Sequence, residues 1–387
     1  MSKKNKDNPY DDFGILTNFE NLYEAHKSCR KGKLWKDSAA SYDLRALEST
    51  YYLQWLLESG TYRMSTYHCF HLNERGKDRN IKSTKYKDRV VQKCLHENII
   101  LPYIKPKLIY DTGASLKDKG TDFQLDRLKE QITHFVHLYG TDGCVLVGDM
   151  HRYYDTLSHA WLNGWYARGF SDRWILGLIA HIHATIPGGV GVPLGNQQSQ
   201  DDALVAGSPI DHYVKDYKQV KGYGRYNDDF YALGQTEEEL KDLLEGIRTL
   251  TESLGLQLNE KKTKIVSLKD GFNFLGFHIY VTDSGKVVMR IKAKSKSRLR
   301  QRIRKFRKKV DAGDMTYEDA KTSYQSAIAH YKRGNCYYLI QEMDCYFYSI
   351  FEDHLSGEEK KKLAKLRKIK RYREWKRRSK QNGKTSQ

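Results

Sequence analysis

The chain has 387 residues, 39% hydrophobic and 12% aromatic, with 67 Lys and Arg against 48 Asp and Glu and a formal charge of +19. That apolar content excludes a chain disordered throughout, and the charge predicts a polyanionic partner. No two of the six cysteines are spaced CxxC, no apolar run is long enough to span a membrane, and the opening MSKKNKDNPYDD has no apolar signal core. These features predict a protein without a zinc ribbon or disulfide framework, kept reduced in a cytosol, in two or three domains.

In chain order, residues 13–60 read as helical, most clearly over 42–57. Residues 67–73 (YHCFHLN) read as a strand, ERGKDR (74–79) as a turn and Ile81 as part of the return strand of a basic hairpin. The apolar spacing of Val90, Val91, Cys94, Leu95 and Ile99 predicts a helix over 87–100, with Pro102 marking its end. A loop at 113–120 precedes a helix over 123–138. The unbroken run Cys144–Val147 predicts a buried strand ending at Asp149. Helices are expected at 157–168 and 171–184 and again after PLGNQQSQ (193–200). Residues 222–233 alternate around Asn227 and Asp228 and predict a tight hairpin. A helix over 236–254, strands over 272–280 and 286–291, and a helical last hundred residues complete the pattern.

The charge is concentrated. Residues 292–310 hold eleven Lys or Arg and no acid, and residues 356–387 hold fourteen against three Glu, so the other 336 residues net to −3. Within the first segment Leu299, Ile303, Phe306 and Val310 fall on one helical stripe, which predicts a helix that packs on a core and turns cations outward. The second segment has few apolar positions and reads either as a basic arm or as a disordered terminus.

Asp149 ends a buried strand, and Asp228 and Asp229 sit at a hairpin tip. Carboxylates at the ends of apolar strands are costly unless paired, and three hard oxygen donors suit Mg²⁺ completed by phosphate oxygens. The surroundings extend this. The run DMHRYYD (149–155), then YNDD (226–229), LGLQLNEKKTKIV (254–266) and FNFLGFHI (272–279) resemble, in order and spacing, palm motifs A, C, D and E of reverse transcriptases. GKDRNIKSTKYKDRVVQKCL (76–95) is similar to their fingers segment, so the resemblance covers about residues 70–290.

The resemblance implies an α+β right-hand polymerase with fingers, a palm of antiparallel sheet backed by helices, and a helical thumb. Residues 1–140 would carry the N-terminal helices and fingers, 141–290 the palm with part of the fingers, 291–355 the thumb and 356–387 a basic tail. It implies an RNA-directed DNA polymerase, with Asp149, Asp228 and Asp229 holding two Mg²⁺ ions (or Mn²⁺) and Lys262 as a proton donor to pyrophosphate. Lys77, Arg79 and Arg89 would clamp the triphosphate. Tyr154 would exclude the ribose 2′-hydroxyl, which also argues against an RNA-dependent RNA polymerase. Phe274, Leu275 and Gly276 would grip the primer end, and Arg300, Arg304 and Arg307 of the thumb would follow the duplex phosphates.

Most retroelement enzymes carry PQGxxxSP in motif B. Here Pro193-Leu194-Gly195-Asn196-Gln197-Gln198-Ser199-Gln200 has Leu and Gln at two of those places. The LGNxxSQ form resembles the reverse transcriptases of diversity-generating retroelements, which copy a template RNA with errors at adenines. Gly195 and Gln200 would touch the nascent base pair. The implied partners are template RNA, cDNA primer and product, dNTPs and a small basic accessory protein, with no membrane, in a bacterial or phage-infected cytoplasm. A prophage or anti-phage defence enzyme, and a maturase-like RNA-binding scaffold, remain the alternatives.

Overall fold

The computed structural model describes residues 8–74 and 77–382, and of residues 74, 77–79, 377, 378 and 380–382 only the backbone. The chain opens with helices α1 (Phe13–Thr17), α2 (Phe19–Arg30), α3 (Asp37–Leu44) and α4 (Ala46–Glu58). Asn18 caps α2 through its side chain, and Leu16, Leu22, Leu53 and Leu57 are buried. Strands β1 (His68–Glu74) and β2 (Lys77–Ser83) pair antiparallel from His68↔Ser83 to Glu74↔Lys77. The strands therefore reach into the six residues, ERGKDR, expected to form the turn.

Helix α5 (Tyr86–Leu95) runs without a break into a π-turn, His96–Ile100, and then α6 (Leu101–Ile104). Pro102 does not end the helix. The wider ring closed by Leu101 N–H on the His96 carbonyl shifts the bonding register, and Pro102 falls in the first turn of the new segment, where its missing N–H does little harm. Helix α7 (Thr121–Tyr139) follows the expected loop.

Strand β3 (Cys144–Asp149) is succeeded by α8 (Tyr153–Thr156), α9 (His159–Gly169), α10 (Arg173–Ala184) and α11 (Gln197–His212). The hairpin β4 (Tyr223–Tyr226) and β5 (Asp229–Gly234) and helix α12 (Glu237–Ser253) complete this part, with β6 (Lys264–Ser267) beyond. The sheet order is β4-β5-β3-β6, and β3 and β5 are antiparallel with Asp149 opposite Asp229.

The region expected to be one strand over 272–280 is two. Strands β7 (Phe272–Phe274) and β8 (Phe277–Val281) are reversed by Leu275 and Gly276, whose φ values of 41° and 93° make the two-residue turn that hairpins favour. Strand β9 (Val287–Ile291) pairs with β8. Four helices follow: α13 (Ala293–Asp311), α14 (Tyr317–Tyr331), α15 (Tyr337–Ile350) and α16 (Gly357–Asn382). The stripe expected on α13 packs inward through Leu299 and Ile303, with Phe306 and Val310 half-buried. Residues 357–382 are neither a loose arm nor a disordered terminus. They form one long helix, anchored on its inner face by buried Leu363 and Leu366 and by Lys362 donating to the Tyr348 hydroxyl at 3.2 Å.

The chain divides into two compact units, residues 1–128 with 144–265, and residues 129–143 with 266–387. The first has a continuous apolar core from Leu16 to Leu258. The second centres on Phe277, Ile303, Met343, Phe347 and Phe351, with Tyr324 stacked on Phe347 at 4.2 Å. Among the described residues no helix is long and apolar enough to cross a membrane.

Candidate active site

The first unit gathers Asp149, Asp228 and Asp229 at one end of its sheet. Asp149 is the last residue of β3, 4% exposed, and lies in register with Asp229, the first residue of β5. The turn between β4 and β5 is Asn227-Asp228, with Asn227 in the left-handed region at φ 54°. The Met150 N–H donates to the Asp228 carbonyl at 3.1 Å, tying the turn to the end of β3.

These carboxylates crowd one another. Burial first, then the charges of Asp228 and Asp149, push the Asp229 carboxyl up to about 7. Asp149 is not bare. It accepts from Asn259 Nδ2 at 2.9 Å and from the Lys262 ammonium, and the Asn259 N–H donates to its backbone carbonyl at 2.7 Å. Burial alone would pull Lys262 down. Hydrogen bonding to Asp149 and the three nearby carboxylates outweigh it and hold the ammonium above the ordinary lysine value. Among the described residues no three His, Cys, Asp or Glu groups form a ready metal cage. Lys262, half-exposed, pairs with Asp149 and draws the Asp229 carboxyl down less than burial and the two other carboxylates push it up. Three hard oxygen donors gathered at one strand end fit a divalent cation.

Tyr154 stands on α8 just after Asp149, and its ring meets that of Tyr153 edge-on at 5.9 Å. Burial, and next the charge of Asp228, push its phenol up to about 12, so it is neutral at physiological pH. Its backbone carbonyl accepts from the Val192 N–H at 2.8 Å, which fixes the segment before motif B. Gly195 has φ 111°, and a Cβ there would come within 3.6 Å of the Lys82 carbonyl, so the motif B loop lies against β2. Gln200 is exposed on the first turns of α11, with Gln197 donating to it at 3.5 Å.

Lys77 and Arg79 lie on β2 opposite Glu74 and Leu72, and their side chains are outside the described residues. Arg89 makes no bond to the neighbouring Asp88. It binds the base of the hairpin, donating to Ser83 Oγ at 2.7 Å and the Thr84 carbonyl at 3.2 Å. Buried Asp88 instead accepts from the Tyr62 hydroxyl at 2.8 Å and the Ser65 N–H at 3.1 Å.

In the second unit Phe274, Leu275 and Gly276 form the β7–β8 turn, with Phe274 buried and Leu275 in a strained left-handed conformation. The α13 arginines expected to follow duplex phosphates make intramolecular bonds that sequence reading did not foresee. Arg300 pairs with Glu342, Arg307 with Asp353 and Asp311, and Arg304 donates to the Tyr346 hydroxyl at 2.8 Å. Exposed Lys305, Lys308 and Lys309 on the same helix have no ion-pair partner among the described residues.

Sequence reading missed Asn259, although the LNEKKT segment that carries it was singled out. It also missed Arg225, whose signal was a charge on the hairpin strand between Tyr223 and Tyr226, and its partner Asp211 on α11. A cavity of about 580 Å³ lined by Phe13, Leu57, Tyr62, Trp174 and His181 contains none of the aspartates.

Residues 72–279 match the family model described as reverse transcriptase (RNA-dependent DNA polymerase). The match covers more than half of the chain, which belongs to the reverse transcriptase family. No curated protein matches its sequence. Among solved structures it is similar to telomerase from Candida albicans in complex with a TWJ fragment of telomeric RNA, at 14% identity and a TM-score of 0.46, over 79% of this chain and 60% of that one. It is similar also to apo telomerase from Candida tropicalis truncated from its C-terminal domain, at 14% identity and a TM-score of 0.43, over 62% and 59%. The chain thus spans about 60% of the length of these two structures.

Proposed function

We propose that the protein is an RNA-directed DNA polymerase that copies an RNA template into cDNA by nucleotidyl transfer at Asp149, Asp228 and Asp229. The observation that carries this reading is the in-register pair Asp149 and Asp229 with Asp228 on the adjoining turn, a cluster whose crowding holds Asp229 at about 7. Two Mg²⁺ ions bound there, or Mn²⁺ in their place, would activate the primer 3′-hydroxyl and offset charge on the departing pyrophosphate. Lys262, half-exposed beside Asp149, donates the proton that pyrophosphate takes up. Tyr154 closes the sugar pocket to a 2′-hydroxyl, and Gly195 and Gln200 face the nascent pair. Lys77 and Arg79, on the hairpin whose base Arg89 braces, hold the triphosphate. The turn Phe274-Leu275-Gly276 meets the primer end.

In this reading residues 1–140 carry the N-terminal helices and fingers, 141–290 the palm with part of the fingers, and 291–355 the thumb of a right-hand polymerase. Helix α16 carries the basic tail as a cationic rod. The LGNxxSQ form of motif B favours a diversity-generating retroelement enzyme, working in a bacterial or phage-infected cytoplasm with a small basic accessory protein. The test is primer extension on a mixed-sequence RNA with Mg²⁺ and four dNTPs, followed by sequencing. Extension lost in Asp228→Ala/Asp229→Ala supports the polymerase, and errors clustered at template adenines support diversity generation. Accurate or untemplated products favour a defence enzyme. RNA binding without extension, with or without accessory protein, would leave the maturase-like scaffold.

A further inference from the structure

Arg225 is fully buried on β4, three residues before Asp228. A buried charge is expensive unless it is paired and all its donors are used. Its partner is Asp211 on α11, itself fully buried. Nε donates to Oδ1 at 2.8 Å and Nη2 to Oδ2 at 2.7 Å, a two-bond fork, and the Tyr223 hydroxyl adds a third bond to Oδ1 at 2.8 Å. Well-packed apolar residues would stabilise this core at least as well as the ion pair. What they could not supply is the rest of the fork. Nη1 donates to the Asn227 carbonyl at 3.0 Å and approaches the Ala203 carbonyl at 3.5 Å, and Nη2 reaches the Leu204 carbonyl at 3.3 Å.

Those acceptors belong to the parts that must keep register. Asn227 is the left-handed residue of the aspartate turn, and its own Oδ1 is buried without a hydrogen-bond partner, so its side-chain oxygen does not brace the turn. The Ala203 carbonyl also accepts from the Tyr153 hydroxyl at 2.7 Å, one residue before Tyr154. Helix α11 makes room for the guanidinium at Gly207, where a Cβ would stand 2.3 Å from Arg225 Cζ, although glycine inside a helix is disfavoured by about 1 kcal/mol relative to alanine.

We infer that Arg225 is a positioning residue: one buried guanidinium, clamped by Asp211, sets the Asp228–Asp229 turn against α11 and the segment bearing Tyr154. The inference rests on the polymerase reading, and its test separates the two. The double variant Arg225→Met/Asp211→Leu keeps the volume apolar and removes the donors to Asn227. Gly207→Ala keeps both charges and displaces the fork. Each is followed by thermal melting, by single-nucleotide extension resolved into kcat and KM for the dNTP, and by Mn²⁺ titration monitored by EPR without nucleic acid. The expected result for both is a well-folded protein whose kcat falls about tenfold or more, since displacements of about 1 Å carry losses of that order or larger. KM for the dNTP should stay within about threefold, and Mn²⁺ binding should weaken at least threefold. A folded double variant with wild-type kcat and Mn²⁺ affinity would overturn the inference. If the double variant fails to fold, Gly207→Ala decides on the same readouts. If the wild type itself extends no primer, the polymerase reading fails, and the Mn²⁺ comparison still decides the role of Arg225.

Discussion

In the first unit, burial raises the Asp201 carboxyl, and burial with two neighbouring carboxylates pushes Asp229 up to about 7. In the second, Arg307 pulls Asp353 down to about 2, and Lys321 with the Ser356 backbone brings Glu359, against its burial, to about 2 as well. Asp43, low beside Arg30 in the N-terminal helices, shows that the first unit also neutralises acids away from its centre. The contrast is therefore local. Around Asp229 the fold crowds carboxylates together in a buried place, which destabilises the native state and favours a cation. In the helical bundle the surplus cations meet the few acids present and hold helix to helix. A raised carboxylate crowded by two others points to chemistry, and depressed ones on a basic bundle point to packing.

The sharpest way to break this contrast is Lys262→Ala. If Lys262 is the proton donor, single-turnover extension should fall roughly 10²-fold with the protein still folded, within the range expected for general-acid catalysis. An unchanged rate would reduce Lys262 to a counterion for Asp149.

The second unit offers the next largest effect. Replacing Lys305, Lys308 and Lys309 with Ala should flatten the slope of log affinity for a template–primer duplex against log salt by about 2–3. Arg300→Ala/Arg307→Ala should change the slope less and lower the melting temperature more, because those side chains bind Glu342 and Asp353. Equal slopes for the two variants would refute the division between bracing and exposed cations.

A smaller effect follows from Asp229. Its folded value, about 7, lies above the ordinary 3.8, so the native state carries a penalty that is absent below pH 4 and complete above about pH 7. Metal-free Asp229→Asn should therefore be more stable than wild type at pH 8, by on the order of 1 kcal/mol, and no more stable at pH 4. Melting curves at the two pH values check this. The smallest effect is the mirror image. Asp353 lies below 3.8, so its contribution is present above that pH and lost as pH falls through about 2. Asp353→Asn should lower the melting temperature at pH 6 by about one or two degrees, and by less in high salt and as pH falls toward 2, since the pair is largely exposed.

The elements that carry the aspartates were legible because each is a local pattern. The apolar run to Asp149 and the alternation around Asn227-Asp228 became β3 and the β4–β5 hairpin. Pro102 misled because a π-turn, a feature with no local signature, changed which N–H the helix needed. Residues 357–382 misled because two buried leucines, too few to show in the composition, suffice to dock a helix on a neighbour.

By itself, then, the order of residues determined the family, the acidic strand ends, the basic helix α13 and most of the elements around the aspartates, since periodicity and motif spacing act over neighbours in the chain. Only the tertiary structure decided which charges meet. Arg225 reaches Asp211 and Asn227, Lys262 and Asn259 reach Asp149, and Arg300 and Arg307 of α13 turn to Glu342 and Asp353. Those pairings join residues up to 113 positions apart. Packing sets such distances, and burial sets how strongly the charges act once there.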